Sequence, residues 1–272
     1  MSKEYALLLM DNRGEICWIT INREKDRNSI NSALMEELDR ALTETEASSA
    51  RAVVFSGAGA SHFIGGADGI EMMQLDQEGA FRFSARIQQL FNRMEESPLI
   101  LVAAINGLCF GGGFEFALAC DLRLTSEEAR IGLPEVKVGL IPGGGGTQRL
   151  PRLVGLGRAM EMILSGRLYK GQEALEMGLV NGLAPADKLS KEVEKVLGTL
   201  FRNPQYTLTQ AKRAVYASQN KVFTAGLQEE SKAFSTCFSQ NYFVDLMIKQ
   251  IQEGSLTTTA NLPDWVKKKK EG

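Results

Sequence analysis

The chain has 272 residues, enough for one large or two modest domains with a substantial core. Its 44% apolar and 24% charged residues are typical of a soluble globular protein, and a net charge of −2 gives no electrostatic attraction to nucleic acid or to an anionic membrane surface. Four cysteines in apolar contexts without a C-x-x-C pair are interpreted as buried free thiols, and a single histidine, His62, argues against Cys/His zinc sites and Ser-His-Asp catalysis.

Strand and helix patterns alternate through about residue 145, which predicts an α/β core with its active groups in loops at the strand ends. The N-terminal apolar run is too short for a signal peptide or a membrane span, so we expect a cytoplasmic protein. The predicted elements are a hairpin of Tyr5–Met10 and Ile16–Ile21, a helix capped by Ser32, a buried strand at 51–57, an irregular loop at 58–69, a helix at Phe81–Met94 ended by Pro98, and a buried strand at 99–107.

Beyond Gly157 the pattern becomes helical and lacks strands, and its last helix is predicted from about Thr224 to Ile251. We therefore expect two domains, an α/β core at 1–200 and a helical region at 201–272. Such a helical region must pack either on the core or on another subunit. The terminal lysine run Lys267–Lys270 is interpreted as a solvated tail.

Three consecutive glycines, Gly111–Gly113, follow a buried strand and precede a segment of helical composition. A strand, a glycine turn and a helix start leave free N–H groups that a ligand can approach closely. The phosphate-loop and dinucleotide patterns are both absent. Instead Glu115 lies in the first helical turn, close to whatever those N–H groups bind.

A second glycine-rich loop at 63–72 also follows a strand, so its backbone can contribute another N–H donor at the same point. Two N–H donors aimed at one oxygen make an oxyanion hole for an ester or thioester carbonyl. A second carboxylate, Glu135, stands ahead of a further glycine loop, and two such glutamates can divide acid and base work. The structural alternative makes Glu115 a helix-dipole partner and Glu135 a surface residue.

Three segments in this order resemble the motifs of the enoyl-CoA hydratase/isomerase family, also called the crotonase family. They are FIGGADGIEM, AAINGLCFGGGFEFALACDLRL and IGLPEVKVGLIPGGGGTQRLPRLVG. The resemblance extends over about residues 5–215. It implies an α/β fold, a crotonase-like spiral of ββα units followed by a helical C-terminal trimerisation region, assembled as a homo-trimer or homo-hexamer.

The resemblance also implies roles for individual residues. The N–H groups of Ala67 and Gly112 match the family's oxyanion hole. Glu115 and Glu135 match the two catalytic glutamates, with Glu135 delivering a proton to the α-carbon and Glu115 activating the water that adds at the β-carbon. The implied reaction is syn hydration of a 2-enoyl-CoA, in which the CoA thioester is the substrate and no cofactor or metal takes part. The remaining expected substrate-binding residues are Gly66, Asp68, Ile70 and Gly143.

Four features depart from the family pattern. Ile70 stands where members often carry a lysine for the CoA phosphates, Glu24 replaces a proline, Phe114 is bulky enough to narrow an acyl pocket, and the C-terminal ending differs. Three other functions therefore stay open: Δ3-Δ2-enoyl-CoA isomerisation by Glu135 alone, dehydration or decarboxylation of a carrier-bound acyl group, and a non-enzymatic scaffold or RNA-binding role. Near-neutral charge does not favour the last.

Overall fold

The computed structural model describes residues 5–253. Its strands are β1 (Leu8–Arg13), β2 (Ile16–Ile21), β3 (Ala52–Gly57), β4 (His62–Ile64), β5 (Ile100–Ile105), β6 (Leu108–Phe110), β7 (Leu122–Ser126), β8 (Arg130–Gly132), β9 (Tyr169–Lys170) and β10 (Gly182–Ala184). They form a six-stranded sheet in the order β1-β2-β3-β5-β7-β10 and a four-stranded sheet in the order β4-β6-β8-β9.

The helices of the same residues connect these strands and then continue alone. They are α1 (Ser32–Glu46), α2 (Gly69–Met72), α3 (Gln77–Glu96), α4 (Gly112–Leu118), α5 (Gly146–Val154), α6 (Leu156–Ser165), α7 (Gly171–Glu176), α8 (Leu189–Leu200), α9 (Gln205–Asn220), α10 (Phe223–Cys237) and α11 (Tyr242–Gln252). Short 3₁₀ turns lie at Glu24–Asp26, Glu135–Val138 and Ala186–Lys188.

The central strands are parallel, as the alternation of strands and helices predicts. Strand β3 lies between β2 and β5, with Val54 aligned to Trp18 on one side and Val102 on the other. Only β1–β2 and β8–β9 pair antiparallel among the strands described. All six side chains of β5 are buried, because a parallel strand with helices on both faces meets apolar surface on each side. The predicted α/β core is confirmed.

The centre of the core is an aromatic cluster around Phe116 of α4. The ring of Phe116 lies 4.9 Å from that of Phe55, 5.7 Å from Phe91 and 6.2 Å from Phe63, in edge or tilted contacts. Such pairs add to the stabilisation from apolar burial. Phe114, expected to narrow an acyl pocket, is fully buried in the same core. The cluster therefore fixes α4, the helix that carries Glu115, between β3 and α3.

Two local predictions in the first half of the chain are wrong. Asn31, not Ser32, caps α1, because its Oδ1 accepts a hydrogen bond of 2.8 Å from the Leu34 N–H. Ser32 instead donates its own N–H to Glu71. The segment 58–69 is not wholly irregular, since its apolar residues form β4, which pairs with β6. β4 is a strand because it pairs with β6, which is distant in the sequence, and local composition carries no information about such pairing.

Two predictions for the second half of the chain are also wrong. The region beyond Gly157 does contain strands, because β9 extends the smaller sheet and β10 pairs parallel with β7. The helix predicted from about Thr224 to Ile251 is two helices, α10 and α11, which are separated by residues 238–241. Ser239 and Asn241 in that break favour turns, because their side chains compete with helical backbone hydrogen bonds.

The chain divides into two compact units after Gln205, five residues beyond the predicted boundary. Within the second unit, the rings of Phe234, Phe238 and Phe243 are in contact across the break between α10 and α11. Its role in oligomerisation stays a prediction. No helix of the described residues has the length and apolarity needed to cross a bilayer. The lysine run Lys267–Lys270 and the divergent C-terminal ending lie outside the described residues.

Candidate active site

The glycine turn before α4 is built for close backbone contact. Gly111, between β6 and α4, has a φ of +56°, a conformation that glycine adopts without steric cost. A β-carbon on Gly113 would lie 2.1 Å from the Ile64 carbonyl oxygen, so any larger residue there would push α4 away from β4. Gly112 is the first residue of α4, where the backbone N–H has no carbonyl one turn earlier to bind.

The backbone of Ala67 lies next to the first residue of α4, Gly112. Ile30 forms an isolated parallel bridge with Ala67, in which the Ile30 N–H donates to the Gly66 carbonyl at 2.9 Å and the Asp68 N–H donates to the Ile30 carbonyl at 2.8 Å. In such a bridge the N–H of the middle residue points to the opposite side. A β-carbon on Gly112 would lie 3.3 Å from the Ala67 nitrogen. The structure thus brings together Gly66, Ala67 and Gly112, which were predicted as neighbours in the site.

Asp68 supports this backbone instead of leaving its carboxylate free. It receives a hydrogen bond of 2.9 Å from Arg23 Nη2 and two from the N–H groups of Ile70 and Glu71, which cap α2. Burial opposes ionisation, but these donors outweigh it and hold the pKa of Asp68 below its ordinary value. Contact between its side chain and a substrate stays a prediction. Ile70 is 67% exposed on α2 and supplies no charge there.

Glu115 is only 2% exposed and is held by the glycine loop ahead of α5. Its Oε1 accepts hydrogen bonds from the N–H of Gly144 at 2.8 Å and of Gly146 at 2.7 Å. Burial raises the pKa of Glu115, while these two N–H groups and the charge of Arg149 act to lower it. The carboxylate is therefore fixed in direction by the backbone.

Gly143 was the glycine of this loop that the sequence singled out, and its hydrogen bonds are made to α3 instead of to Glu115. Its carbonyl accepts hydrogen bonds from Ser84 Oγ at 2.7 Å and Gln88 Nε2 at 2.8 Å on α3, and α5 begins only at Gly146. Sequence reasoning missed Gly144 and Gly146 as the partners of Glu115. The available signal was the run of four glycines, which leaves several backbone N–H groups uncovered by side chains.

Glu135 differs from Glu115 in its hydrogen bonding. Its two carboxylate oxygens are shielded from solvent, and neither makes a hydrogen bond of normal geometry within the described residues. Burial raises the pKa of Glu135 to about 7. The backbone amide of Glu135 acts against this increase, and the negative charge of Glu115 adds to it. A β-carbon on Gly111 would lie 3.4 Å from Glu135 Oε1, so this carboxyl borders the glycine turn.

The arrangement separates the two carboxyl groups chemically. Glu115 accepts two hydrogen bonds from loop N–H groups that favour its anion, whereas Glu135 makes no hydrogen bond of normal geometry within the described residues, so burial favours the neutral form of Glu135. Two backbone N–H groups lie beside them. Such a site can bind an oxygen that gains negative charge while one carboxyl gives a proton and the other takes one. The described part of the chain contains no group of three His, Cys, Asp or Glu side chains placed to hold a metal ion.

Comparison with known proteins identifies the fold and the family. The family model described as enoyl-CoA hydratase/isomerase matches residues 11–250. The chain is 35% identical over 247 residues to the short-chain-enoyl-CoA hydratase of Clostridium acetobutylicum, which covers 90% of this chain and 95% of the relative. It is 33% identical over 236 residues to the crotonyl-CoA hydratase of Syntrophomonas wolfei, which covers 86% and 91%.

A solved structure gives the same result. The crystal structure of an enoyl-CoA hydratase from Bacillus anthracis matches with a TM-score of 0.85 and 34% identity, over 91% of this chain and 96% of that chain. The predicted crotonase-like fold is thereby confirmed, and so is the helical character of the C-terminal region. The chain is therefore an enzyme of the enoyl-CoA hydratase/isomerase family.

Proposed function

We propose that this chain is an enoyl-CoA hydratase, which adds water reversibly and syn across the 2,3 double bond of a 2-enoyl-CoA thioester. The observation that carries this proposal is the pair of unlike carboxyl groups, Glu115 and Glu135, beside the backbone N–H groups of Ala67 and Gly112. Water addition needs a proton acceptor for the water and a proton donor for the α-carbon. Two glutamates in different states can meet both needs.

The N–H groups of Ala67 and Gly112 act on the thioester carbonyl. As water adds at the β-carbon, electrons move through the conjugated system and the carbonyl oxygen gains enolate character. Two preorganised donors stabilise that charge, and losing one donor of this kind costs about 3 to 4 kcal/mol. Gly66 and Gly111 are needed as glycines because both have positive φ, which sets the direction of the neighbouring amides.

The carboxyl groups move the protons. Glu115 takes a proton from water as its oxygen bonds to the β-carbon, and Glu135 gives its proton to the α-carbon. The pair then holds its one proton on Glu115, and transfer back to Glu135 restores the starting state. One water is consumed and no net proton is released. The reaction in this form uses no metal or organic cofactor, since the CoA thioester is the substrate.

The names of two similar proteins, a short-chain-enoyl-CoA hydratase and a crotonyl-CoA hydratase, support a short acyl chain as the substrate here. The proposal extends to a homo-trimer or homo-hexamer in the cytoplasm that works without a nucleic-acid or membrane partner. Its direct test is incubation of the purified protein with crotonyl-CoA and mass analysis of the thioester. Gain of one water supports a hydratase, and unchanged crotonyl-CoA contradicts a short-chain hydratase.

A carrier-bound acyl group is the second candidate substrate, favoured by one observation. Ile70 is exposed and apolar where relatives of this family often place a lysine for the CoA phosphates. A carrier-bound pantetheine has no adenosine 3′-phosphate that needs such a cation. Faster turnover of a carrier-linked than of a CoA-linked crotonyl group would favour this candidate over the first.

Gly112→Ala should lower hydration about 10²- to 10³-fold and leave the protein folded. The added methyl group would lie 3.3 Å from the Ala67 nitrogen, inside the space where the proposed oxyanion sits. Gly157→Ala on α6 is the matched control, because nothing lies within 4 Å of the added carbon. Steady-state rates and circular dichroism of both variants check this. Equal activity in the two would show that the Gly112 amide is not a donor to substrate.

Hydration should have a bell-shaped pH profile of kcat/KM, with an alkaline limb near the Glu135 pKa of about 7. The pair must hold one proton, so activity falls as pH rises and Glu135 ionises. Dehydration of 3-hydroxybutyryl-CoA should show the same profile, because the net reaction consumes no proton. Rates in both directions from about pH 5 to about pH 9 test this. An alkaline limb close to an ordinary carboxyl pKa would contradict it.

A further inference from the structure

Arg149, on α5, makes three hydrogen bonds that join α5, α3 and the glycine loop. Its Nη1 donates to the Gly144 carbonyl at 3.1 Å, its Nε to Glu95 Oε1 at 2.5 Å, and its Nη2 to Asn92 Oδ1 at 2.7 Å. The Arg149 and Glu95 side chains are only 15% and 13% exposed. A guanidinium with several fixed partners has little freedom to move.

The guanidinium contacts the loop that holds Glu115. A β-carbon on Gly145 would lie 2.3 Å from Arg149 Nη1, and Gly145 has a φ of +105°. Gly145 stands between Gly144 and Gly146, the two residues whose N–H groups bind Glu115. Arg149 therefore holds the loop at Gly144 and Gly145, next to both N–H donors.

We infer that Arg149, anchored by Glu95, is a positioning residue that keeps the Glu115 carboxylate aimed and charged for activating water. This inference rests on the proposed hydratase function and adds a residue to it. Arg149 acts on the reaction only through the loop and through Glu115. Isomerisation by Glu135 alone does not require it.

The charges around Glu115 support this role. Arg149 on α5 is the cation that lowers the pKa of Glu115, and Glu135 is the neighbouring acid. The strands packed on α4 add three ionisable groups. Arg123 of β7 donates to the Ala117 carbonyl of α4 at 3.1 Å. His62 of β4 hydrogen-bonds to Ser61 and has a pKa lowered by burial, and the buried Cys109 of β6 has a raised pKa that keeps it a thiol. Burial is the largest influence on the pKa of Glu115, and removal of the Arg149 charge leaves only the two loop N–H groups to oppose it.

Arg149→Met keeps the aliphatic bulk and removes the charge and all three hydrogen bonds. We expect kcat for crotonyl-CoA hydration to fall at least about tenfold with little change in KM, because Arg149 does not touch the thioester. The acid limb of the pH profile should move up by about one pH unit, since a nearby cation lowers a carboxyl pKa by about that much. Arg149→Lys should restore part of the acid limb, because it keeps the charge but not the bonding geometry.

Arg93→Met is the matched control. Arg93 lies on α3 and, like Arg149, forms a partly buried ion pair, with Glu46 on α1. Arg93→Met should lower the melting temperature as Arg149→Met does, and it should leave the acid limb of the pH profile of hydration in place. Wild-type turnover separates the two proposals: a wild type that does not hydrate crotonyl-CoA overturns the proposed function. An active wild type whose acid limb is the same in Arg149→Met, or moves equally in Arg93→Met, overturns the inference for Arg149.

Discussion

Glu135→Gln lowers kcat/KM for crotonyl-CoA hydration by about 10²- to 10⁴-fold, the loss expected when a general acid is removed. Glutamine cannot give a proton to the α-carbon or take one from it. Isomerisation of a 3-enoyl-CoA is lost as well, because Glu135 is the only proton carrier proposed for that reaction. The measurement is the rate of both reactions with the purified variant.

The same variant should be more stable than the wild type at alkaline pH. The pKa of Glu135 rises from an ordinary 4.5 to about 7 on folding, so the folded state holds this proton more tightly than the unfolded state. Stability is therefore lost as pH rises from about 4.5 to about 7. Each pKa unit is worth about 1.4 kcal/mol, which sets an upper limit of about 3.5 kcal/mol on the gain from glutamine.

Thermal unfolding at pH 8 and at pH 4.5 measures this gain. The variant and the wild type should melt close together at the lower pH and differ at the higher one. Loss of activity without any pH-dependent gain in stability would mean that Glu135 is not buried in a charge-penalising environment. Full activity in the variant would remove Glu135 from the mechanism.

Glu115→Gln should lower hydration about 10³-fold and reduce isomerisation less than about tenfold. Water activation is lost because an amide cannot accept the proton. Folding is preserved, since a single oxygen of Glu115 accepts both the Gly144 and Gly146 hydrogen bonds, and the amide oxygen of glutamine can do the same. Ionised Glu135 can still take the α-proton and return it at the γ-carbon, which is all that isomerisation needs.

Parallel assays of the two reactions on one preparation of this variant give the ratio directly. A second readout is the acid limb of isomerisation, because Glu135 must be ionised to take the α-proton. That limb should move to lower pH, since the charge of Glu115 contributes to the raised pKa of Glu135. Hydration at the wild-type rate, or equal loss of both reactions, would contradict separate roles for the two glutamates.

The sequence was sufficient to predict the backbone part of this site. Glycines in fixed order after a strand predict a turn that exposes N–H groups, and both glycine loops do lie against each other, as Ala67 and Gly112 show. The helix position of Glu115 follows in the same way, because the glycine run defines where α4 begins. These features depend on local backbone conformation, which the residue types determine strongly.

The features that the sequence did not predict depend on contacts between distant segments. The bonds from Gly144 and Gly146 to Glu115 join residues about thirty positions apart, and nothing in the glycine run tells which members donate. The raised pKa of Glu135 depends on burial by surrounding elements. Strand β10 has a composition that predicts no strand, and only its pairing with β7 makes it one.

The central claim is that Glu115 and Glu135 act as one unit on one water molecule, and a double-mutant cycle tests it most directly. Hydration of crotonyl-CoA is measured for the wild type, Glu115→Gln, Glu135→Gln and the double variant. Groups that act as a unit are not additive, so the double variant should be about as slow as the slower single variant. Losses that multiply in the double variant would mean that the two glutamates act independently, and would contradict the shared-proton mechanism.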